Sequence, residues 1–392
     1  MTITVQPSLK AETKLFGLDH LRTLAITLVF LFHFGHQFPH PEWTESAGKF
    51  GWTGVDLFFV LSGYLISSQL FTKIAGGNNI SYREFFLKRF FRIIPAYLFV
   101  VAVYFCFPYT HERSTLAPLW KYLTFTLNLG LDLRTQGTFS QAWSLCIEEQ
   151  FYLFLPLILI ALVYFKAIRK GAWLLAALFL SGFAIRFFVY QHFAAPFAKS
   201  DDFDVLWTKW IYYPTYCRLD GLLVGVSIAA LFQYRPLLKN KITQYGNRLL
   251  LLSLLILTGS YFLFRESQSL DASVFGFPLV SIGFGMMILG AISPTSFLYK
   301  FKSNITTTIA TLSYAIYLTH KFIIHITQDQ LAGFGIPKES NLMFFICTVT
   351  VILGAFVMNK LIEKPFLKLR DKVLQKKHAG KLVRESITIP VS

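Results

Sequence analysis

Charge is scarce in this chain. Only 15% of its 392 residues are charged, and the acidic ones number 21. A soluble domain carries about a quarter of its residues as charged groups, so a free-standing soluble fold is excluded. Cysteine is scarce too. Cys106, Cys146, Cys217 and Cys347 all fall in or beside apolar runs, without the spacing of a metal site. They read as small core residues, with neither a disulfide nor bound zinc expected. Residues 1–14 are polar and mixed, and no small-residue cleavage site follows the first apolar run, so no cleavable leader is expected. There is no internal repeat, no low-complexity tract and no linker long enough to separate soluble domains. What the chain has instead is apolar mass: 54% hydrophobic residues, 42 of them Phe. The formal charge of +16 would suggest nucleic acid in a soluble protein. Here the basic residues gather between and after apolar segments. That distribution points to membrane topology and anionic headgroups, and no nucleic-acid partner is expected.

A membrane-spanning helix needs about 20 apolar residues. Ten stretches qualify: 16–38, 52–71, 93–109, 141–165, 172–190, 211–232, 249–264, 274–293, 307–327 and 342–362. The expected fold is therefore an all-α integral membrane bundle of about ten helices. Lys and Arg cluster after the second, fourth, sixth and eighth stretches and again in the tail from Lys364 to Arg384. Ten spans with both termini cytoplasmic put every cluster inside, as a cell's inner or plasma membrane protein would have it. Counting 119–133 as an eleventh span would invert everything after it. That segment is expected to be re-entrant or interfacial. The organisation is then a cytoplasmic segment 1–15, a multi-span domain 16–362 and a basic cytoplasmic tail 363–392.

Several polar groups sit at membrane depth, where they are costly and mark functional sites by default. Arg22 and His33 are eleven positions apart in the first span. That is about three helical turns, which puts both on one face roughly 16 Å apart. The alternative for this pair is a snorkelling arginine and a packed histidine. Asp56 lies near the outer end of the second span, with Ser62, Gly63 and Tyr64 at mid-span; Gly63 suits close helix approach, and Asp56 can pair with a cation of a neighbouring span. Lys88, Arg89 and Arg92 form a compact cationic patch shaped for a phosphorylated ligand. Glu148 and Glu149 open the fourth span about 100° apart, so one of them at most faces a given site. Later spans add Arg218, Asp220, Tyr314, Tyr317 and His320. So many groups from separate spans suggest one enclosed polar cavity, reachable from the inner leaflet, with a histidine base, a carboxylate to orient it and a cationic rim. That set fits group transfer.

At these residues the sequence resembles the membrane-bound acyltransferase-3 family. The resemblance is carried by Gly17-Leu18-Asp19-His20-Leu21-Arg22 with His33, by Gly54 to Tyr64, and by Lys88-Arg89-Phe90-Phe91-Arg92-Ile93-Ile94-Pro95. Trp143-Ser144-Leu145 through Glu148 to Phe151-Tyr152, Arg218-Leu219-Asp220-Gly221 and Ser313 to His320 continue it in the same order, so it runs from about residue 16 to Pro365. It implies a multi-span enzyme that uses cytosolic acyl-CoA, acetyl-CoA by default, as co-substrate to O-acylate carbohydrates or other hydroxylated molecules of the cell envelope. No permanently bound cofactor or metal is expected. In that reading His33 is the base, with Glu148 and Arg22 as further catalytic residues. Arg89 and Arg92 hold the donor, with Lys88 standing where the family often has arginine. Asp56, Tyr64, Arg218, Asp220, Tyr317 and His320 are the candidate substrate contacts. Some relatives continue into an extracytoplasmic hydrolase-like domain; none is expected here, so an acceptor-delivery partner would be a separate protein. A transporter or flippase of a lipid-linked sugar is the rival reading, and it predicts transport without acyl-CoA.

Overall fold

The computed structural model describes residues 15–77 and 81–387, with side chains described to residue 375. The expected cytoplasmic segment 1–15 lies almost wholly outside the described residues. Ten long helices follow one another: α1 (Phe16–Gln37), α2 (Gly54–Ala75), α3 (Tyr82–Cys106), α4 (Ala142–Tyr164), α5 (Gly171–Val189), α6 (Asp220–Tyr234), α7 (Gly246–Leu263), α8 (Phe277–Ala291), α9 (Asn304–Ala332) and α10 (Asn341–Met358). Among the described residues, eight helices are long and apolar enough to cross a membrane, or nine if α6 and the sharply bent Pro236–Thr243 form one span. The remaining long helix, α9, carries His320, Lys321, His325, Gln328 and Asp329. It tolerates them because it packs between α1 and α10, where His320, Lys321 and Gln328 are buried in protein, while Asp329 near its end pairs with His325 and Lys338. The tail continues as α11 (Lys364–Ile387), which packs back on α3.

Successive helices alternate in direction, and hydrogen bonds tie neighbouring segments together at each end of the bundle. Lys73 reaches Glu84 and Gly246 reaches Thr295 at one end. Trp43 reaches Asn341, and Asn128 reaches Thr215, at the other. The first end gathers the basic clusters. The second holds 38–53, 107–141, 190–219, 264–276 and 333–340. Segment 119–133 makes no span: it is one helical turn (Leu119–Leu123) and a series of turns, with Phe125 at φ 53°. It is anchored at the second end by Gln150, which donates to the Phe125 carbonyl at 2.8 Å, and by Asn128 on Thr215 at 2.8 Å.

The tightest crossing is α2 on α6. A Cβ at Gly63 would sit 2.2 Å from the Leu222 carbonyl oxygen, and one at Gly225 2.3 Å from the Val60 carbonyl. Small residues let the two backbones touch, which is how helices associate where lipid removes the hydrophobic incentive. Cys146, Cys217 and Cys347 are buried, as core residues are; Cys106, at the end of α3, is exposed instead.

Candidate functional site

Helices α1 and α9 run parallel in a fixed register. His20 meets Thr306 and the Phe301 carbonyl near the basic end, and Thr23 donates to the Thr306 carbonyl. Farther along, His33 meets His320, and Gln328 donates to the Pro39 carbonyl. The helical spacing that puts Arg22 and His33 on one face thus aims that face at α9. Both imidazoles of the central pair are buried, and His33 Nδ1 lies 2.9 Å from His320 Nε2.

The carbonyls around His320 assign the protons. Its Nδ1 faces the Ile316 and Tyr317 carbonyls at 3.0 and 2.9 Å, so Nδ1 carries the hydrogen. His320 Nε2 is therefore an acceptor, and His33 Nδ1–H donates to it. That tautomer leaves His33 Nε2 with a bare lone pair, the form a general base needs.

His33 lines a cavity of about 390 Å³ at the end of the bundle away from the basic clusters. Its walls are aromatic, with Trp52, Trp143, Trp207, Tyr212, Tyr261 and Tyr317 among them. A short π-helical stretch, Thr208–Tyr212, turns Thr208 and Tyr212 into it. Such one-turn π segments recur at functional sites. Tyr317 donates to the Gln141 carbonyl at 2.8 Å and also meets Ser144, which pins the start of α4 to α9. Gln141 borders the cavity, with its side-chain amide buried toward Tyr104.

A buried ion pair braces the histidines from behind. Lys321 Nζ contacts Glu112 Oε1 at 2.9 Å and donates to Ser140 at 3.2 Å. Glu112 also accepts from the Phe139 backbone N–H at 2.9 Å. Burial by itself pushes the Glu112 carboxyl up, but the Lys321 ammonium and that N–H more than offset it, holding the group below the usual carboxylate range. Sequence reasoning passed over Glu112, Lys321 and Gln141. A lysine next to His320 inside a helical run was the available signal for one of them.

The remaining expected site residues do not join this cavity, and the single enclosed chamber expected from the sequence is instead two separate regions. The aromatic cavity opens opposite the basic end, not toward it. Glu148 is not the partner of His33. It accepts from Ser62 at 2.9 Å and Tyr152 at 3.2 Å, and it faces Arg89 and Arg92 electrostatically. Arg89 stacks over Tyr152 at 5.5 Å. Arg22 pairs with Asp19 at 3.3 Å and also feels Arg92. These residues form a second polar group toward the basic end. Lys88 is drawn off to Glu84 at 2.7 Å and does not complete the patch.

Asp56, Arg218 and Asp220 are structural rather than cavity-lining. Asp56 holds Arg218 Nη2 bidentately at 2.9 and 3.0 Å, and that guanidinium lies 4.0 Å from the Phe277 ring centre and 4.7 Å from Tyr212. Asp220 binds Arg186 at 2.6 Å, a buried α5 arginine missed in the sequence. Buried charges survive by such pairing, so these carboxylates are already spent. Tyr64 packs in the apolar core at the α2–α6 crossing. Of the candidate substrate contacts, Tyr317 alone lines the cavity, and His320 reaches it through His33.

Comparison with known proteins adds an independent line. The profile of a family described as an acyltransferase domain matches residues 15–360. OatA, an O-acetyltransferase of Staphylococcus aureus, is 27% identical over 372 residues, covering 90% of this chain and 57% of its own. YrhL of Bacillus subtilis, named as a candidate peptidoglycan O-acetyltransferase, is 26% identical over 376 residues, or 89% and 54%. A candidate O-acetyltransferase of S. aureus strain COL is 27% identical over 91% of this chain and 58% of its own. The chain thus spans somewhat over half the length of these relatives. No solved structure matches it. With the profile spanning nearly the whole helical bundle, the chain belongs to the acyltransferase-3 family of integral membrane proteins.

Proposed function

We propose that this protein moves an acyl group, acetyl by default, from acyl-CoA to a hydroxyl of a carbohydrate or glycoconjugate. The observation that carries this reading is His33 at the wall of an aromatic cavity with its Nδ1 committed to His320, which leaves Nε2 for a substrate proton. Sugar rings suit such walls, because aromatic faces pair with their apolar C–H surfaces while a few polar groups fix orientation. The acceptor hydroxyl gives its proton to His33 Nε2 as its oxygen attacks the thioester carbonyl. The C–S bond breaks, and the CoA sulfur leaves with a proton returned by the imidazolium. A positioned base of this kind contributes about 10²- to 10⁴-fold.

The second polar group suits the donor. Arg89 and Arg92 stand at the basic end, which the positive-inside rule assigns to the cytoplasm, where they can hold phosphates. Acceptor and donor then enter from opposite faces of a cell membrane, and the pantetheine arm bridges the roughly 16 Å from Arg22 to His33. Any protein that delivers the acceptor works on the far face. Labelled acetyl-CoA and a glycan acceptor, presented to the protein in lipid nanodiscs, test the reading. His33→Ala should lower transfer by at least about 100-fold. An undiminished rate in a folded variant refutes the assignment.

A further inference from the structure

The mouth of the cavity carries charge of one sign. Lys49, Arg265 and His36 line it, both Lys49 and Arg265 are exposed, and no Asp or Glu is among the described lining residues. The two cations come from distant segments brought edge to edge. Phe50 packs on Tyr261 at 5.7 Å and Trp52 on Phe264 at 4.7 Å, so the residues beside them, Lys49 and Arg265, arrive at the same rim. Neither makes an ion pair among the described residues. Arg265 rests over Phe262 at 4.8 Å, which leaves its N–H groups free to turn to a ligand. The nearby Glu45 and Glu266 are exposed and line no part of the cavity.

The positive-inside rule gives no reason for these charges, since they stand at the end opposite the basic clusters. Cations at the open edge of a recess, with its walls apolar and its floor a neutral base, recognise anionic oxygens. We infer that the acceptor is an acidic glycan. A carboxylate or phosphate substituent is held by Lys49 and Arg265, a sugar ring lies along Trp52, Trp143 and Tyr212, and a hydroxyl reaches His33. This rests on the cavity being the acceptor site, and it deepens that reading by naming the substrate class.

Three tryptophans in the lining, Trp52, Trp143 and Trp207, give a binding signal that needs no catalysis. The full chain in zwitterionic nanodiscs is titrated by intrinsic fluorescence with three probes: a neutral trisaccharide (cellotriose), its C6-oxidised uronic acid form and its 6-phosphate. At least one acidic probe should bind about tenfold tighter than cellotriose, as two partly desolvated ion pairs give. The preference should shrink at about 0.5 M salt. Lys49→Gln with Arg265→Gln should remove it while sparing the neutral sugar. Both side chains lie at the rim, so the fold should survive. The tighter of the two acidic probes tells carboxylate from phosphate. Equal binding of all three, binding of none, or a preference that persists in the double variant overturns the inference. A preference without any acyl transfer would instead sink the enzymatic reading and leave an acidic-glycan site.

Discussion

Removing the acceptor atom on His320 should cost rate without touching the base itself. The His33–His320 hydrogen bond, at 2.9 Å between two buried rings, helps keep the proton on His33 Nδ1. In His320→Leu the imidazole loses its side-chain partner and keeps only the Val29 carbonyl beside it, so the proton is less firmly held on Nδ1 and can move to Nε2 and silence the base. A buried donor left unsatisfied costs about 1–3 kcal/mol. Expressed as a barrier, that is about a 5- to 150-fold fall in kcat. His320→Gln offers a side-chain carbonyl close to the lost Nε2 and should recover much of the rate. His33→Ala should fall further, by about 10²- to 10⁴-fold, and the double variant His33→Ala, His320→Leu should be no slower than His33→Ala alone. The assay is CoA release with wild-type and variant proteins in nanodiscs, at saturating donor and acceptor, with thermal unfolding as the folding control. Losses that multiply in the double variant, or an unchanged kcat in a folded His320→Leu, would show that the two rings act independently.

Three further outcomes follow from the packing. Asp56→Asn strands Arg218 without its counter-charge and should lower stability by about 3–5 kcal/mol, while the folded fraction keeps its acceptor KM; a raised KM at unchanged stability would return Asp56 to the substrate site. Glu112→Gln should destabilise the fold near neutral pH by removing the partner of Lys321. Because the folded Glu112 pKa is depressed, its contribution is present above the unfolded value of about 4.3 and lost as pH falls through the folded one, so unfolding scans of the wild type should weaken below about pH 4 and those of the variant should weaken less. Gly63→Ala forces a methyl against the Leu222 carbonyl and should cost about 1–3 kcal/mol through the α2–α6 contact; unaltered thermal stability would show that the two helices are free to separate.

The span pattern and the sidedness of charge were legible because each depends on local composition. The run Leu119 to Leu133 could be set aside as a span by charge counting, and it is one helical turn followed by a series of turns. His33 could be singled out because an ionisable group in an apolar helix is conspicuous in one dimension. The partner it takes could not. Glu148 is equally conspicuous, but its distance from His33 depends on how α4 packs, and Ser62 and Tyr152 claim it instead. Asp56 and Arg218 lie 162 positions apart and read as two separate candidates until the fold makes them one pair.

The sequence by itself determined a helical membrane bundle, its charge polarity and the family motifs, since hydropathy and helical period act over a few tens of residues. Tertiary structure alone decided which polar groups are spent on one another and which are left facing a cavity. The reason is that a buried charge takes whatever partner the packing supplies. Lys321–Glu112 and Arg218–Asp56 are therefore spent as braces, while His33, joined to His320, is left at the cavity wall, according only to where the helices bring them.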